Sequence, residues 1–526
     1  MRFFTTRPGA IVAAVLVALV LISLWPSLIG GKIFSSGDNI LLWPPFSGGR
    51  PAGWTHPSNF NLTDPVLGFL PDLLVTRHDL AHGIAPLWNP YAGAGRPLLA
   101  SQVHAPLFPV TWLAFLLPFW SALAWIAAAK LLLAGAGTYL FCRELKLRRG
   151  PALVGAIAYP FGTFFIAWLE HPQTNVWAML PWMLFAARRV CMRGSLGATA
   201  LLGGATGLVW LGGHPESAAF LLGTTAAYAA FELIAERTRG QASGRSAAGP
   251  HWTEPIAGRA GLIAAGLILG VGVGAIVSVP LFELLGQSPK VERGGPGAPF
   301  QEMWAFFFPE LWGNPSKAFT AGAANFNERT AYFGVLPLLL SVASLGRRRP
   351  REQWFFVALA VVVLATIFNT PLWASGVRDL PEGKVAQLTR LLVLVSFAGA
   401  VLAAYGLQRW LGGDDGKAEL RGDRGRLIGT CVVDHGRAVD RIAGKLPCNV
   451  GQCRCSTVGG QNCMDARRAH PGCEWLVRSG RIGALDQHNA LVAQCESERT
   501  RRQRAPREAL EQGVIGPARP ARPEVQ

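Results

Sequence analysis

Charge is what this chain lacks most. Of its 526 residues 32 are acidic and 49 basic, so 15% are charged while 50% are hydrophobic. That balance excludes an ordinary soluble protein of this size. No small-residue cleavage site stands beside the first apolar run, "GAIVAAVLVALVLISLWPSLIG", and the run is longer than a signal peptide's core. It reads as a retained signal-anchor helix. The sequence has no G-x-x-x-x-G-K-[ST] loop and so offers no nucleotide-phosphate cradle. It has no convincing internal repeat either, which weighs against a transporter built from inverted halves.

What recurs instead, from residue 10 to residue 411, is apolar runs of roughly 20 residues, the length that crosses a hydrocarbon core as a helix. Helices are expected at 9–29, 120–142, 150–169, 174–190, 196–213, 217–235, 259–282, 331–346, 353–373 and 390–411. With the N-terminus cytoplasmic, "CRELKLRRG", "ARRVCMRG", "ERTRGQASGR" and "GRRRPRE" then all fall inside, as basic loops do. The net charge of +17 is therefore a topology signal, and nucleic acid is not an expected partner. The predicted fold is an all-α polytopic membrane protein of about ten transmembrane helices with a large, partly helical first extracytoplasmic loop.

Four regions follow: an anchor helix at 1–29, the first outer loop at 30–119, a helix bundle at 120–411 with a second outer loop at 282–330, and a tail at 412–526. The segment "LFPVTWLAFLLPF" at 107–119 is short and carries prolines, so it reads as interfacial or re-entrant. A span there would flip the parity of everything after it.

The first loop carries Asp38 in "FSSGDNILLWPPF" and Asp64 in "LTDPVLGFLP". A carboxylate beside apolar side chains at a bilayer surface is placed to act as a general base, although such aspartates also cap helices and start turns. Trp88 and Asn89 lie in "PLWNPY", which reads as substrate-binding or as an aromatic anchor at headgroup level. His171 and His214 each precede a proline at an outer helix end, with Glu216 close by, and are candidates for contacting sugar or phosphate. Arg329 and Arg390 open outer helix ends, where a guanidinium suits a lipid phosphate; interfacial snorkelling is the alternative. Lys130 falls within a span, and a charge at that depth marks function and calls for a carboxylate partner.

The run "D…P…L-x-H-G-x-x-P-L-W-N-P-Y-x-G-x-G-x-P-L" resembles the first outer loop of the YfhO family of bacterial membrane proteins. "AYPFGTFF", "LPWMLFA", "GGHPESA", "ERTAYFGVLPLLL" and "LTRLLVLVSFAGAVLAAYGL" follow in the same order, so the resemblance covers about residues 10–411. That family is similar to the GT-C glycosyltransferases. The resemblance implies a multi-pass protein of the bacterial cytoplasmic (inner) membrane that moves a sugar from a polyprenyl-phosphate donor to a cell-envelope glycan or lipid. It implies membrane lipids as surroundings, a first-loop acid as catalytic base (Asp64 ahead of Asp38), and no certain cofactor beyond an admissible divalent metal ion. A transporter or flippase of lipid-linked sugars is the rival reading, and an inactive truncated family member is a third.

Residues 412–526 change character. Seven of the nine cysteines lie there, yet only Cys448 and Cys453 have zinc-site spacing and no second pair follows. The tail matches nothing in the family and reads as a frameshifted, disordered by-product, or else as a lineage-specific cytoplasmic segment.

Overall fold

The computed structural model describes residues 7–242, 256–288, 298–317, 319–320, 325–346, 350–368, 370 and 387–412. The reading of the tail lies outside the described residues, as do parts of both the second outer loop and the segment before Arg390.

The chain is mostly helical, and among the described residues six helices are long and apolar enough to cross a membrane. These are Gly9–Leu28 within α1 (Arg7–Leu28), α4 (Phe119–Glu144), and Arg149–Ala167, which joins α5 (Arg149–Ala158) to α6 (Thr163–Ala167). The others are Pro215–Thr238 within α10 (Pro215–Ala242), α11 (Ile256–Gln287), and Leu388–Leu411, whose main part is α14 (Leu392–Leu411). Several long apolar helices make this a multi-pass membrane protein.

Other expected spans come out shorter or broken. The span expected at 174–190 is two helices, α7 (Gln173–Ala178) and α8 (Leu180–Arg193), because Pro181 supplies no N–H and starts a new helix. The one expected at 331–346 shrinks to α12 (Val335–Ala343), since Gly334, at φ +103, ends the extended approach. Helix α13 (Arg351–Ile367) and α9 (Leu196–Leu211) are apolar, of 17 and 16 residues. The 107–119 segment contains only a 3-10 turn and the four-residue α3 (Leu113–Leu116), with Pro109 opening that turn and Pro118 capping α4.

Small residues set the helix packing. A Cβ on Gly270 would stand 2.3 Å from Thr206 Cβ, and one on Gly274 would stand 2.2 Å from Trp210 Cβ, so α9 and α11 meet nearly backbone to backbone. A Cβ on Gly406 of α14 would fall 1.8 Å from the Leu340 carbonyl oxygen of α12. Where lipid is as apolar as the side chains, such close approach supplies the attraction that burial supplies in water. Between them α4, the end of α5, α13 and α14 bury Phe141, Tyr159, Phe356 and Phe397 in one aromatic core.

The two ends of the bundle differ. At one end Arg148 N donates to Gln408 Oε1 (2.9 Å), Arg193 pairs with Glu144 (3.2 Å), and Arg351 donates to the Ala235 carbonyl. The opposite end gathers the first loop, the 168–173 and 212–215 turns, residues 325–333 and residues 387–391. There Asn61 bonds Asn325 (3.2 Å), Thr163 bonds the Tyr332 carbonyl (2.9 Å), and Trp168 Nε1 donates to the Asn327 carbonyl (2.7 Å).

Replacing Gly270 or Gly274 by valine is expected to lower thermal stability in detergent by roughly 1–3 kcal/mol through overpacking of α9 on α11. Gly272→Ala meets open space and is expected to leave the melting temperature unchanged or slightly raised. Equal melting of all three variants would refute the close-packing account.

Candidate functional site at the loop end of the bundle

The site is built on Lys130, which lies near the middle of α4. Its buried ammonium donates to the backbone carbonyls of Leu169 (3.1 Å) and His171 (3.0 Å). The end of α6 leaves those carbonyls without helical partners, and the bonds pin the 168–173 turn against α4. The carboxylate expected near Lys130 is Glu170, which acts on it through its field and lies on the turn itself. Glu170 Oε2 accepts from both Ser36 N and Ser36 Oγ (3.1 Å each), which ties the first loop to the turn. Burial raises the Glu170 carboxyl above the usual range, opposed by the Ser36 bonds and Lys130 and assisted by Asp38.

Asp38 therefore stands within electrostatic reach of Glu170. It accepts from Ser58 N (2.5 Å) and Ser58 Oγ (2.8 Å) at a half-exposed position. Asp64 is exposed, has helical backbone angles, and makes no side-chain cap bond; the next residue, Pro65, lines the cavity described below.

His171 is buried between two cations. Its ring packs edge-on against Trp168 (4.7 Å) and Phe69 (5.5 Å). Burial first, then Lys130 and Arg390, lower its pKa to about 3, so the ring is neutral. On the far side of Trp168 lies Arg390, its guanidinium 5.5 Å from the indole centroid. Arg390 NH1 donates to His214 Nε2 (2.9 Å) and Glu216 Oε2 (3.1 Å), and Nε to Glu328 Oε1 (3.3 Å). Because a guanidinium only donates, Arg390 presents an N–H to His214 Nε2, while Nδ1 lies 2.9 Å from Ser217 Oγ and accepts from Ser217 N (3.2 Å). Thr389 donates to Glu328 Oε2 (2.6 Å), and burial still raises that carboxyl.

Of the residues nominated from sequence, His214, Glu216 and Arg390 meet in one cluster, with His171 and Lys130 beyond Trp168. Arg329 does not join them, for its guanidinium pairs with Glu302. Asn89 is buried and committed to Asp72 (2.8 Å), and Trp88 is exposed on the hairpin β1 (Trp88–Asn89) and β2 (Arg96–Pro97), where Gly95 lies under its ring. Four participants were not nominated: Glu170, Glu328, Asp72 and His104.

Asp72, on α2 (Leu70–Ala81), is fully buried and receives Asn89 Nδ2 and Arg96 NH2 (2.6 Å). His104 bonds Thr76 (3.0 Å); burial and Arg96 lower its pKa to about 3. The 102–105 stretch meets the 212–214 turn so closely that a Cβ on Gly213, at φ +88, would stand 2.8 Å from the Gln102 carbonyl oxygen. Under this roof is a half-open cavity of about 60 Å³, lined by Lys130, Glu170, His104 and Asn175 among apolar side chains such as Phe34 and Phe69.

Among the described residues no group of three or more His, Cys, Asp or Glu side chains is arranged to hold a metal ion. In the cluster of His214, Glu216 and Glu328 the central place is taken by the Arg390 guanidinium. That donor set does not fit a divalent cation. A scan of protein-family models finds no match to this chain, and a search of curated proteins finds none either.

For His104 and His171 the folded pKa of about 3 lies below the free value of 6.5, so the unfolded chain binds these protons first. Their contribution to stability is present above pH 6.5 and is lost as pH falls towards 3. His171→Phe keeps the ring packing and is expected to flatten the stability–pH slope in that window by up to one proton. An acid limb unchanged in unfolding titrations would overturn the neutral, buried assignment.

Proposed function

We propose that the chain is an integral-membrane, GT-C-like glycosyltransferase that moves a sugar from a polyprenyl-phosphate donor to a cell-envelope acceptor. The observation that carries this reading is the gathering of Arg390, His214, Glu216, Glu328, His171 and Lys130 at the same end of the bundle as the first-loop acids. A lipid-linked substrate keeps its tail in hydrocarbon and its phosphate at the interface, which is where such a layer must lie. The ordered motifs that resemble the YfhO family support the same reading. So does the segregation of basic segments to the other end, which suits a cytoplasmic N-terminus in a bacterial inner membrane. The full set of about ten spans belongs to this proposal, with α7–α8, α9, α12 and α13 as the four beyond the long helices.

In this reading Arg390 meets the donor phosphate. Its NH1 and Nε are held by the cluster, and NH2 carries no bond among the described residues, so one N–H pair is left for a phosphate oxygen. Glu328, whose carboxyl burial raises, is bonded by Arg390 and by Thr389 and so holds the guanidinium in place. Asp38, the first-loop acid within electrostatic reach of Glu170, takes the acceptor's proton, while Asp64 is exposed to solvent.

The test is transfer in purified membranes supplied with labelled polyprenyl-phosphate sugars. Arg390→Gln is expected to lower transfer about 100- to 1,000-fold and Asp38→Asn at least about 100-fold, with Asp64→Asn milder. A wild type that moves lipid-linked sugar across the bilayer without transferring it would replace this reading with the flippase.

A further inference from the structure

The cavity beneath the first loop has a chemistry different from that of the Arg390 cluster. Lys130 offers an ammonium whose two assigned N–H groups go to carbonyls, and its third has no partner among the described residues. Opposite lies Glu170, both of whose Ser36 bonds fall on Oε2, so that Oε1 carries none. Asn175 Oδ1 and His104 Nδ1 are buried polar atoms without a hydrogen bond, on residues that line the same space. Apolar side chains such as Phe34, Phe69 and Leu73 form the rest of the wall.

An anion entering this space meets the Glu170 carboxylate, and a cation meets the Lys130 ammonium. A neutral hydroxyl meets neither obstacle, because it donates to the one and accepts from the other. The groups facing Glu170 are Lys130 from α4 and Asp38 and Ser36 from the first loop, with His104 lining the same cavity. Phe69 of the cavity wall packs on His171, which packs on Trp168, and Arg390 lies over that indole.

We infer that this cavity is the acceptor subsite: it receives a neutral alcohol group of the acceptor, such as a sugar hydroxymethyl, between Glu170 and Lys130. The inference rests on the transferase reading and adds what that reading leaves open, the class of acceptor group and the residue that holds it. In the transfer, the hydroxyl oxygen forms a bond to the anomeric carbon. The bond from that carbon to the phosphate oxygen breaks, its electron pair leaves on the phosphate, and the hydroxyl proton passes along its hydrogen bond to Glu170 and from there to Asp38. Glu170 ends in the proton state in which it began, and it orients the hydroxyl.

The test uses the full-length protein in lipid vesicles, polyprenyl-phosphate sugars as donor and hexyl β-glucoside as acceptor. Glu170→Gln, and Ala127→Leu, which fills the cavity wall, are each expected to raise the acceptor KM about tenfold or more while leaving the donor KM unchanged. Arg390→Gln is expected to do the reverse. If Glu170 served only to tie the loop to the turn, donor and acceptor KM would rise together, and that result overturns the subsite. Unchanged acceptor KM in Glu170→Gln, with wild-type transfer intact, also overturns it and leaves the transferase reading standing. A wild type that transfers to neither hexyl β-glucoside nor an envelope lipid extract overturns both. Should Ala127→Leu fail to fold, the near-isosteric Glu170→Gln carries the test alone.

Discussion

A primary ammonium inside an apolar helix bundle must find acceptors within the protein, and Lys130 finds them in the carbonyls of Leu169 and His171. Much of the loop end of the molecule depends on that requirement. It fixes the short turn after α6 against α4, and the turn carries Trp168, Glu170 and His171 in succession. Glu170 then reaches the first loop through Ser36, while Trp168 underlies Arg390. A single buried charge thereby holds two chemically distinct polar centres at a set separation. The helix termini and the ammonium satisfy each other, which is the economical solution where water does not reach.

Around this anchor, the roof and the far cluster are assembled from segments distant in the chain. Asp72 locks the 88–97 hairpin through Asn89 and Arg96, and Gly213 lets the 212–214 turn close onto Gln102. Arg390 draws together residues 214, 216 and 328. The opposite end has its own buried group, where Arg188 pairs with Glu232 and reaches Glu352 (3.4 Å), joining α8, α10 and α13. The two ends thus confine their charges to separate layers, with the aromatic core around Phe141 and Phe397 between them. That layering suits chemistry at one membrane surface.

Several features were legible before the fold was known. The long runs at α1, α4, α10, α11 and α14 stand out because each is apolar without interruption. Lys130 stands out because a charge within such a run has few innocent explanations. His214, Glu216 and Arg390 were nominated by their positions at helix ends. Glu170 was overlooked beside His171 in "LEHPQTN", since neighbouring residues in a turn point in different directions and only their partners reveal which faces the cavity. Asp72 looks like an ordinary acidic residue in the first turn of a helix until Arg96 and Asn89 arrive across the hairpin. Arg329 shares with Arg390 a place at a helix end, but Glu302 claims it.

The sequence by itself determined that the chain is a helical, multi-pass membrane protein. Those properties depend on hydropathy and charge summed along contiguous residues. Tertiary structure decided which carboxylate serves which cation, and that a cavity opens between Lys130 and Glu170. These outcomes depend on groups 40 to 176 residues apart meeting within hydrogen-bonding or electrostatic range, as Glu170 does with Lys130 and Arg390 with His214. No local pattern encodes such distances.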